Sequence, residues 1–387
     1  MRDGWKTIRL GEVAVVIAGQ SPDGKSYNSS GSGLPFYQGK KEFQTKFIGS
    51  PVVWTTQVTK EAHEGDILMS VRAPVGPINF STQHICIGRG LAAIRCMESV
   101  DRNYLYYLLE SKQSEISGKE GAVFASISKT DIESISLMIP PYIEQQRIVA
   151  ILDEAFAGIA TAKAYAEKNL QNVRELFDSH LRALFSESHE GWKRKTLWEV
   201  ATDFGRGKSR HRPRNDPKLY GGPYPFIQTG DVRGADQLIT EYKQTYNNAG
   251  LAQSKLWPKG TLCITIAANI AETGILGFDA CFPDSVIGVV VDQRQTSTKF
   301  LEYLLQTVKA ALKAKGKGSA QDNINLGTFE NERFPFPDLA TQASIVEKLD
   351  TLSAAVREME SVYARKLAAL DELKQSLLAK AFAGELT

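Results

Sequence analysis

Two stretches of the chain, residues 140–187 and 337–387, carry apolar side chains at intervals of three and four positions, the spacing of one face of an α-helix. We call these residues the seam: Ile148, Leu152, Ile159, Leu170, Val173, Leu176 and Leu184 in the first stretch, and Ile345, Leu349, Leu352, Val356, Met359, Leu367, Leu370, Leu373 and Leu377 in the second. Each first-stretch member has an apolar counterpart 197 positions later. At about 1.5 Å per residue, such helices reach roughly 60 Å. A narrow seam of this length predicts that the two helices pair as a coiled coil, and two ordinary helices in separate domains are the alternative.

The remaining residues alternate short apolar runs with polar turns, a pattern typical of β-strands. Runs such as "VAVVIAG" and "DILMSV" have parallels in "LCITIA" and "VIGVVVD" of the second half. Each half also contains a longer helical segment, "NYLYYLLESKQSEI" or "KFLEYLLQTVKAALKA". Both halves are therefore predicted to hold a mixed α+β domain.

The chain is two copies of one plan, since "GWKTIRLGEV" at residue 4 returns as "GWKRKTLWEV" at residue 191. The predicted fold class is α+β, with two similar domains and two long helices in four blocks: 1–139, 140–187, 188–336 and 337–387. If the helices run antiparallel, the two copies are related by pseudo-twofold symmetry.

One short motif raises the hypothesis of a stand-alone DNA methyltransferase. Ile139-Pro140-Pro141-Tyr142 is similar to the Asn/Asp-Pro-Pro-Tyr/Phe loop of enzymes that methylate a flipped-out base. Ile139, however, has no acceptor for the amino group. The Phe204-Gly205-Arg206-Gly207 segment is also a poor match to a methyl-donor loop, because it lies among basic residues. The alternative interpretation is that the two prolines end a strand and open a helix.

Composition changes this picture little. The 387 residues are 42% hydrophobic and 23% charged, with a net charge of +2, so local charge must decide whether nucleic acid is bound. The chain has no apolar run long enough for a membrane span and no signal-peptide pattern, which makes the cytoplasm the expected location. Four scattered cysteines predict buried, reduced thiols, and five histidines show no ligand spacing, so we predict no metal site.

The order of blocks resembles the specificity subunit of type I restriction-modification systems. The resemblance rests on "IPPYIEQQRIVAILD" with "FPDLATQASIVEKLD" at the helix starts, and on "LRALFSE" with "LLAKAFAGEL" at their ends. It covers essentially the whole chain. It implies a non-catalytic protein with two target-recognition domains, each contacting half of a split double-stranded DNA sequence, and an antiparallel coiled coil that sets their spacing. It also implies two methyltransferase subunits and a restriction subunit as partners, with S-adenosylmethionine, ATP and Mg²⁺ bound on those partners and no cofactor on this chain.

Candidate DNA-contacting residues are basic or amide side chains in loops, where they can contact phosphates or base edges. They are Gln38, Lys40, Lys41, Arg72, Arg89, Ser126, Lys129, Arg206, Lys208, Arg210, Arg212, Arg214, Lys218, Gln228, Arg233, Lys315, Lys317 and Asn323. The densest group lies in residues 206–218, where Asp216 is the only acidic residue.

Several alternatives remain open at these positions. Gln38 and Gln228 either pair with adenine or hold a backbone turn. The alternative for Arg72 and Arg89 is an intradomain ion pair, and for Ser126, Lys129 and Asn323 it is a capping or turn role. For the whole chain, a coiled-coil adaptor that binds proteins instead of DNA is the competing hypothesis.

Overall fold

A computed structural model describes residues 4–117, 126–186, 191–267, 270–317 and 326–386. The chain divides into two compact units. Unit 1 contains residues 1–167 and 364–387, and unit 2 contains residues 168–363. Each unit therefore holds one predicted domain together with part of each long helix.

The elements of the first half form two larger sheets and one small one. The strands are β1 (Lys6–Arg9), β2 (Ala14–Ala18), β3 (Tyr27–Asn28), β4 (Leu34–Tyr37), β5 (Trp54–Thr55), β6 (Glu61–Ala62), β7 (Ile67–Ser70), β8 (Ile78–Phe80), β9 (Ile85–Ile87), β10 (Leu91–Cys96) and β11 (Ser136–Ile139). The helices are α1 (Arg102–Ser111), α2 (Gln113–Ser117), α3 (Lys129–Glu133) and α4 (Tyr142–Ser186). The strand orders are β2-β10-β7-β8, β3-β5-β4-β9-β6 and β1-β11.

The second half repeats this arrangement. Its strands are β12 (Lys193–Lys195), β13 (Ala201–Arg206), β14 (Tyr220–Phe226), β15 (Leu238–Ile239), β16 (Gln244–Tyr246), β17 (Leu256–Trp257), β18 (Leu262–Thr265), β19 (Thr273–Leu276), β20 (Ala280–Cys281), β21 (Val286–Val291) and β22 (Phe334–Phe336). Its helices are α5 (Thr229–Gly234), α6 (Asn248–Ala252), α7 (Thr298–Lys317), α8 (Leu326–Asn331) and α9 (Leu339–Phe382). The strand orders are β13-β21-β18-β19-β15, β16-β14-β20-β17 and β12-β22.

The duplicated topology confirms the predicted fold class of two mixed α+β domains with long helices. In both halves a parallel strand pair lies within an otherwise antiparallel sheet. Phe36 of β4 is in register with Cys86 of β9, and Phe226 of β14 with Cys281 of β20. The thiols of Cys86, Cys263 and Cys281 are buried and free, as the sequence predicts, and Cys96 is partly buried.

A buried glutamine fixes the start of each long helix. Gln145 donates to the carbonyl of Pro140 at 2.9 Å and accepts from the backbone N–H of Asp101 at 2.8 Å. Gln342, its counterpart 197 positions later, donates to the carbonyl of Pro337 at 2.9 Å. These bonds tie α4 and α9 to the domains that precede them. The Pro-Pro-Tyr segment is thus a helix start, preceded by Ile139, which is buried in β11.

The two long helices run antiparallel within each unit. In unit 1, Ile148 and Leu152 near the start of α4 share a core with Leu378 and Ala381 near the end of α9. In unit 2 the end of α4 packs with the start of α9. Leu181 and Phe185 of α4 share a core there with Ile345 and Leu349 of α9. The ends of each helix are therefore buried by the other helix and by the adjoining domain.

The predicted seam needs correction at three positions, because Leu176, Met359 and Leu373 are 63%, 41% and 46% exposed. Beyond Val173 the buried stripe continues through Phe177, which packs against the core of unit 2. Phe177, four residues after Val173, stays on the packed face of the helix. Leu176, which the sequence placed in the seam three residues after Val173, points outward.

The counterpart of Phe177 is a lysine, which misled the sequence analysis. Lys374 is partly buried; its ammonium group lies 5.2 Å from the centre of the Phe156 ring and 2.7 Å from Glu110. The long aliphatic stem of lysine can cover apolar surface while its charge finds a partner. Of the other seam residues, Ile148, Leu152, Ile159, Ile345 and Leu349 are buried, and Leu170, Val173, Leu184, Leu352, Val356, Leu367, Leu370 and Leu377 are partly buried.

Two interhelical ion pairs occupy equivalent positions in the two units. Lys163 pairs with Asp371 in unit 1, and Arg174 pairs with Glu360 at 2.6 Å in unit 2. Lys163 and Glu360 are counterparts at the 197-residue offset, as are Arg174 and Asp371. Both cations thus lie on α4 and both anions on α9.

Candidate nucleic-acid interface

Three segments of the first domain meet where the parallel strands β4 and β9 end. The carbonyl of Gln38 accepts from the N–H of Gly90 at 3.1 Å, and the N–H of Arg89 donates to the Ser21 hydroxyl at 3.3 Å. A Cβ on Gly90 would lie 2.3 Å from the Gln38 carbonyl oxygen, so only glycine permits this approach. The side chains of Gln38 and Arg89 are both exposed. The sequence identified both residues but not their proximity.

The other first-domain candidates lie on the turn after Gln38 and near the start of α3. Lys40 and Lys41 are exposed on the single turn that follows Gln38. Arg72 forms a backbone bridge with Ser126, and both are exposed. Lys129 begins α3 and forms an ion pair with Glu133 at 3.5 Å.

Gln228 occupies the corresponding place in the second domain, just after β14. Its backbone N–H donates to Asp231 at 2.8 Å, and its side-chain amide donates to Gln244 at 2.5 Å. Arg233 follows in α5 and is exposed. In both domains, therefore, an exposed glutamine follows the strand that pairs in parallel with a later strand.

The basic loop 206–218 is less free than its sequence indicates. The prediction that its cations face only Asp216 is wrong, because Asp284, distant in sequence, also lies against it. Arg214 binds both carboxylate oxygens of Asp284 at 2.7 and 2.9 Å, and Arg206 donates to the Asp284 backbone carbonyl at 2.7 Å. Arg212 donates to the carbonyl of Ser209 at 2.6 Å.

Asp216 organises the middle of this loop. It forms an ion pair with Lys218 at 3.0 Å, and its carboxylate lies 2.9 Å from the Nε2 atom of His211. The pKa of Asp216 is lowered, first by the side-chain hydrogen bond from Lys218 and then by the backbone hydrogen bond of the same residue. The carboxylate therefore stays ionised at neutral pH and holds its partners.

Lys208 and Arg210 are the loop cations best placed to contact phosphate. Both side chains are exposed, and neither makes a side-chain hydrogen bond or ion pair within the ranges that the structure describes. Lys315 and Lys317 fall in the last turn of α7, and Asn323 lies outside the described residues.

One glycine of the Phe204-Gly205-Arg206-Gly207 segment, Gly207, has a structural explanation. A Cβ on Gly207 would lie 2.2 Å from the carbonyl oxygen of Phe282, whereas a Cβ on Gly205 would meet nothing within 4 Å. Gly207 is therefore required by close backbone packing, as Gly19 is in the first domain, where a Cβ would lie 2.2 Å from the Gly88 oxygen.

One cluster was missed by the sequence analysis. Glu61, His63 and His84 place potential ligand atoms within 4.8 Å of one another. Their sequence separation gives no metal-binding spacing, because the pairing of β6 with β9 brings them together. No helix among the described residues is long and apolar enough to cross a membrane.

Comparison with known proteins identifies the class to which the two duplicated domains belong. The family model for the type I restriction modification DNA specificity domain matches residues 2–169 and 189–362. The chain belongs to this family of specificity subunits, which are non-catalytic components that recognise the DNA target of a restriction-modification complex. Its partners are accordingly DNA and the other subunits of that complex.

Individual relatives agree with this assignment. The putative MjaX specificity subunit of Methanocaldococcus jannaschii is 37% identical over 177 residues, which is 45% of this chain and 41% of that protein. The StySPI specificity subunit of Salmonella potsdam is 23% identical over 100% of this chain and 90% of its own length.

Solved structures share the fold. A chain from a study of assembly and conformational transition of the type I R-M system has a TM-score of 0.82 at 20% identity, covering 100% of this chain and 99% of that one. The HsdS subunit from Thermoanaerobacter tengcongensis has a TM-score of 0.59 at 21% identity, covering 100% and 98%.

Proposed function

We propose that this chain recognises an asymmetric, bipartite DNA sequence, with one half-site contacted by each domain. The observation that carries the proposal is the duplicated strand end with different side chains around it. Gln38 is followed by Lys40 and Lys41, whereas Gln228 is followed by Asp231 and Arg233. Glutamine can pair with adenine and arginine with guanine in the major groove. Because equivalent surfaces carry different chemistry, the two half-sites differ.

The coiled coil sets the distance between the half-sites. Helices α4 and α9 have 45 and 44 residues, and their ends pack antiparallel within each unit. Half-sites one turn of DNA apart are separated by about 34–36 Å, and a helix of this length extends roughly 65 Å. A pair of such helices is long enough to bridge that separation.

Two methyltransferase subunits bind to equivalent surfaces of the helices. In unit 1 the exposed apolar side chains on the helices include Tyr142, Tyr165 and Leu373. Their counterparts at the 197-residue offset in unit 2 are Leu339, Val362 and Leu176, which are also exposed. We assign these duplicated exposed positions to the interface with the partner. A duplicated surface supports two copies of one partner, with a restriction subunit joining for cleavage.

Cofactors belong to the partners in this proposal. S-adenosylmethionine, ATP and Mg²⁺ bind to the methyltransferase and restriction subunits, and this chain binds none of the three. The glycines of residues 204–207 support this assignment, since backbone packing against Phe282 accounts for Gly207 without a methyl donor.

Paired variants test the assignment of half-sites. Methylated sites are mapped in cells that contain the methyltransferase partner and either Gln38→Ala or Gln228→Ala. We expect Gln38→Ala to relax base preference in one half-site only, and Gln228→Ala in the other only, at about 1–3 kcal/mol of discrimination per lost pair. The matched control is Gln375→Ala, an exposed glutamine on α9. Relaxation of both half-sites by one variant would contradict the proposal.

A further inference from the structure

The end of the β6–β9 ladder in the first domain brings two imidazoles and a carboxylate together. Glu61 is in register with Cys86 and Ala62 with Ile85. One residue further along this antiparallel pair, His63 lies opposite His84. Because side chains alternate along a strand, Glu61 projects on the same side as His63.

The distances suit a shared cation. The Nε2 atom of His84 lies 2.8 Å from Oε2 of Glu61, and the Nε2 atom of His63 lies 4.0 Å from the same oxygen. The two imidazole rings are 4.9 Å apart and nearly perpendicular, at 87°. Donor atoms around a tetrahedral zinc ion, with bonds of about 2.0–2.1 Å, are separated by about 3.3 Å. Small side-chain rotations of these exposed groups would bring all three donors to that separation.

From this geometry we infer that Glu61, His63 and His84 form a binding site for a divalent transition-metal cation of the Zn²⁺ class. A ligand set of two imidazoles and one carboxylate favours such cations over Mg²⁺ or Ca²⁺. Three protein ligands leave one position of a tetrahedral ion for water. The carboxylate of Glu61 supplies a negative charge directly at the site.

The backbone that carries His63 is held in place by a buried carboxylate. Asp66, which is 4% exposed, accepts from the N–H of His63 at 2.8 Å. The same carboxylate binds the Arg95 guanidinium at 2.7 and 3.0 Å, which compensates the positive charge of Arg95. The turn between β6 and β7 is thus fixed before any cation binds, which lowers the entropic cost of assembling the ligands.

The cation would join an edge strand to the strand that supports the proposed DNA-contacting surface. β6 is the edge of its sheet, and β9 pairs on its other side with β4, which ends at Tyr37, directly before Gln38. Since β6 has only two residues in its ladder, a metal bridge between His63 and His84 adds a substantial constraint to this edge.

Calorimetric titration of ZnCl₂ into the full-length, chelator-treated protein tests the inference. We expect one Zn²⁺ per chain, with the dissociation constant raised at least about tenfold in His84→Ala, His63→Ala and Glu61→Gln. The matched control is His211→Ala, which removes a histidine that also contacts a carboxylate, Asp216 at 2.9 Å, but that belongs to no metal-ligand cluster among the described residues. This control should bind Zn²⁺ as the unmodified protein does.

Thermal unfolding with ZnCl₂ gives an independent readout. A ligand that binds the folded state raises the midpoint of thermal unfolding. ZnCl₂ should therefore raise this midpoint in the unmodified protein and in His211→Ala, but not in His84→Ala. Circular dichroism checks that each variant is folded, and Glu61→Gln keeps the side-chain shape should an alanine variant fail to fold. Failure of the unmodified protein to bind Zn²⁺, or unchanged affinity in His84→Ala and Glu61→Gln, would overturn the inference.

Discussion

Charge reversal at the Arg174–Glu360 ion pair should destabilise the helix pair, and reversing both residues should restore it. The two groups are 2.6 Å apart, with side chains 63% and 32% exposed. At about 4 Å in a medium close to water, two unit charges interact with about 1 kcal/mol. Exposed pairs retain about 0.2–1 kcal/mol of this after screening and loss of side-chain freedom. We take about 0.5 kcal/mol as the attraction in the native pair.

Each single variant, Arg174→Glu or Glu360→Arg, replaces this attraction by a similar repulsion. The expected loss is therefore about 1 kcal/mol in the free energy of unfolding, or about 2–4 °C in the thermal midpoint for a unit of this size. The double variant should return close to the original midpoint, which gives a coupling energy of about 2 kcal/mol between the two sites.

Thermal unfolding of the four proteins, at low salt and in 1 M NaCl, measures this coupling. At 1 M salt the screening length is about 3 Å, so the differences should shrink. Lys168→Glu, an exposed charge reversal on the same helix, controls for net charge. A double variant no more stable than either single variant at low salt would refute the reasoning.

The same charge arrangement favours pairing of α4 with α9, since pairing of α4 with another α4 would bring Lys163 and Arg174 together.

Three further predictions follow from individual contacts. Gly207→Ala should lower the free energy of unfolding by about 1–3 kcal/mol in urea titrations, because its Cβ would lie 2.2 Å from a carbonyl oxygen; Gly205→Ala, where no atom lies within 4 Å, is the control and should be nearly neutral. Combined Lys208→Ala and Arg210→Ala should reduce the salt dependence of DNA affinity by about 1.8 in the log–log slope, measured by fluorescence anisotropy, if each contacts one phosphate; an unchanged slope would exclude both contacts. Burial raises the pKa of Glu302 above 4.5, so the folded protein keeps a proton that the unfolded chain releases, and the unfolding free energy should fall as pH rises above about 4.5. Glu302→Gln should remove this component in pH-dependent denaturation, and an identical pH dependence in the variant would contradict it.

The repeated architecture was predictable because it depends on local pattern. The spacing of three and four that predicts α4 and α9 needs no knowledge of distant contacts, and comparison of the two halves predicts the duplication directly. The predicted seam is wrong at positions where packing against other elements determines which face of the helix is buried. Phe177 was left out of the seam because its counterpart is Lys374, yet Phe156 and Glu110 contact the stem and the charge of that lysine.

The candidate interface was predictable in composition but not in geometry. Residue type alone identified Gln38 and Arg89, but their proximity depends on the parallel pairing of β4 with β9. Loop 206–218 was taken as a free basic segment because Asp284, which binds Arg214, is 70 positions away. His63 and His84 likewise show no relation until the register of β6 and β9 is known. Sequence spacing therefore predicts which side chains come together within one helix or loop. Side chains that come together across paired strands can be identified only once the strand pairing is known.

Mapping of methylated bases tests the central claim most directly. DNA is sequenced from cells that contain this chain with its methyltransferase partner and from cells that contain the methyltransferase alone. The account predicts a split, asymmetric motif that appears only when both proteins are present. A contiguous or symmetric motif, or the same methylation without this chain, would contradict it.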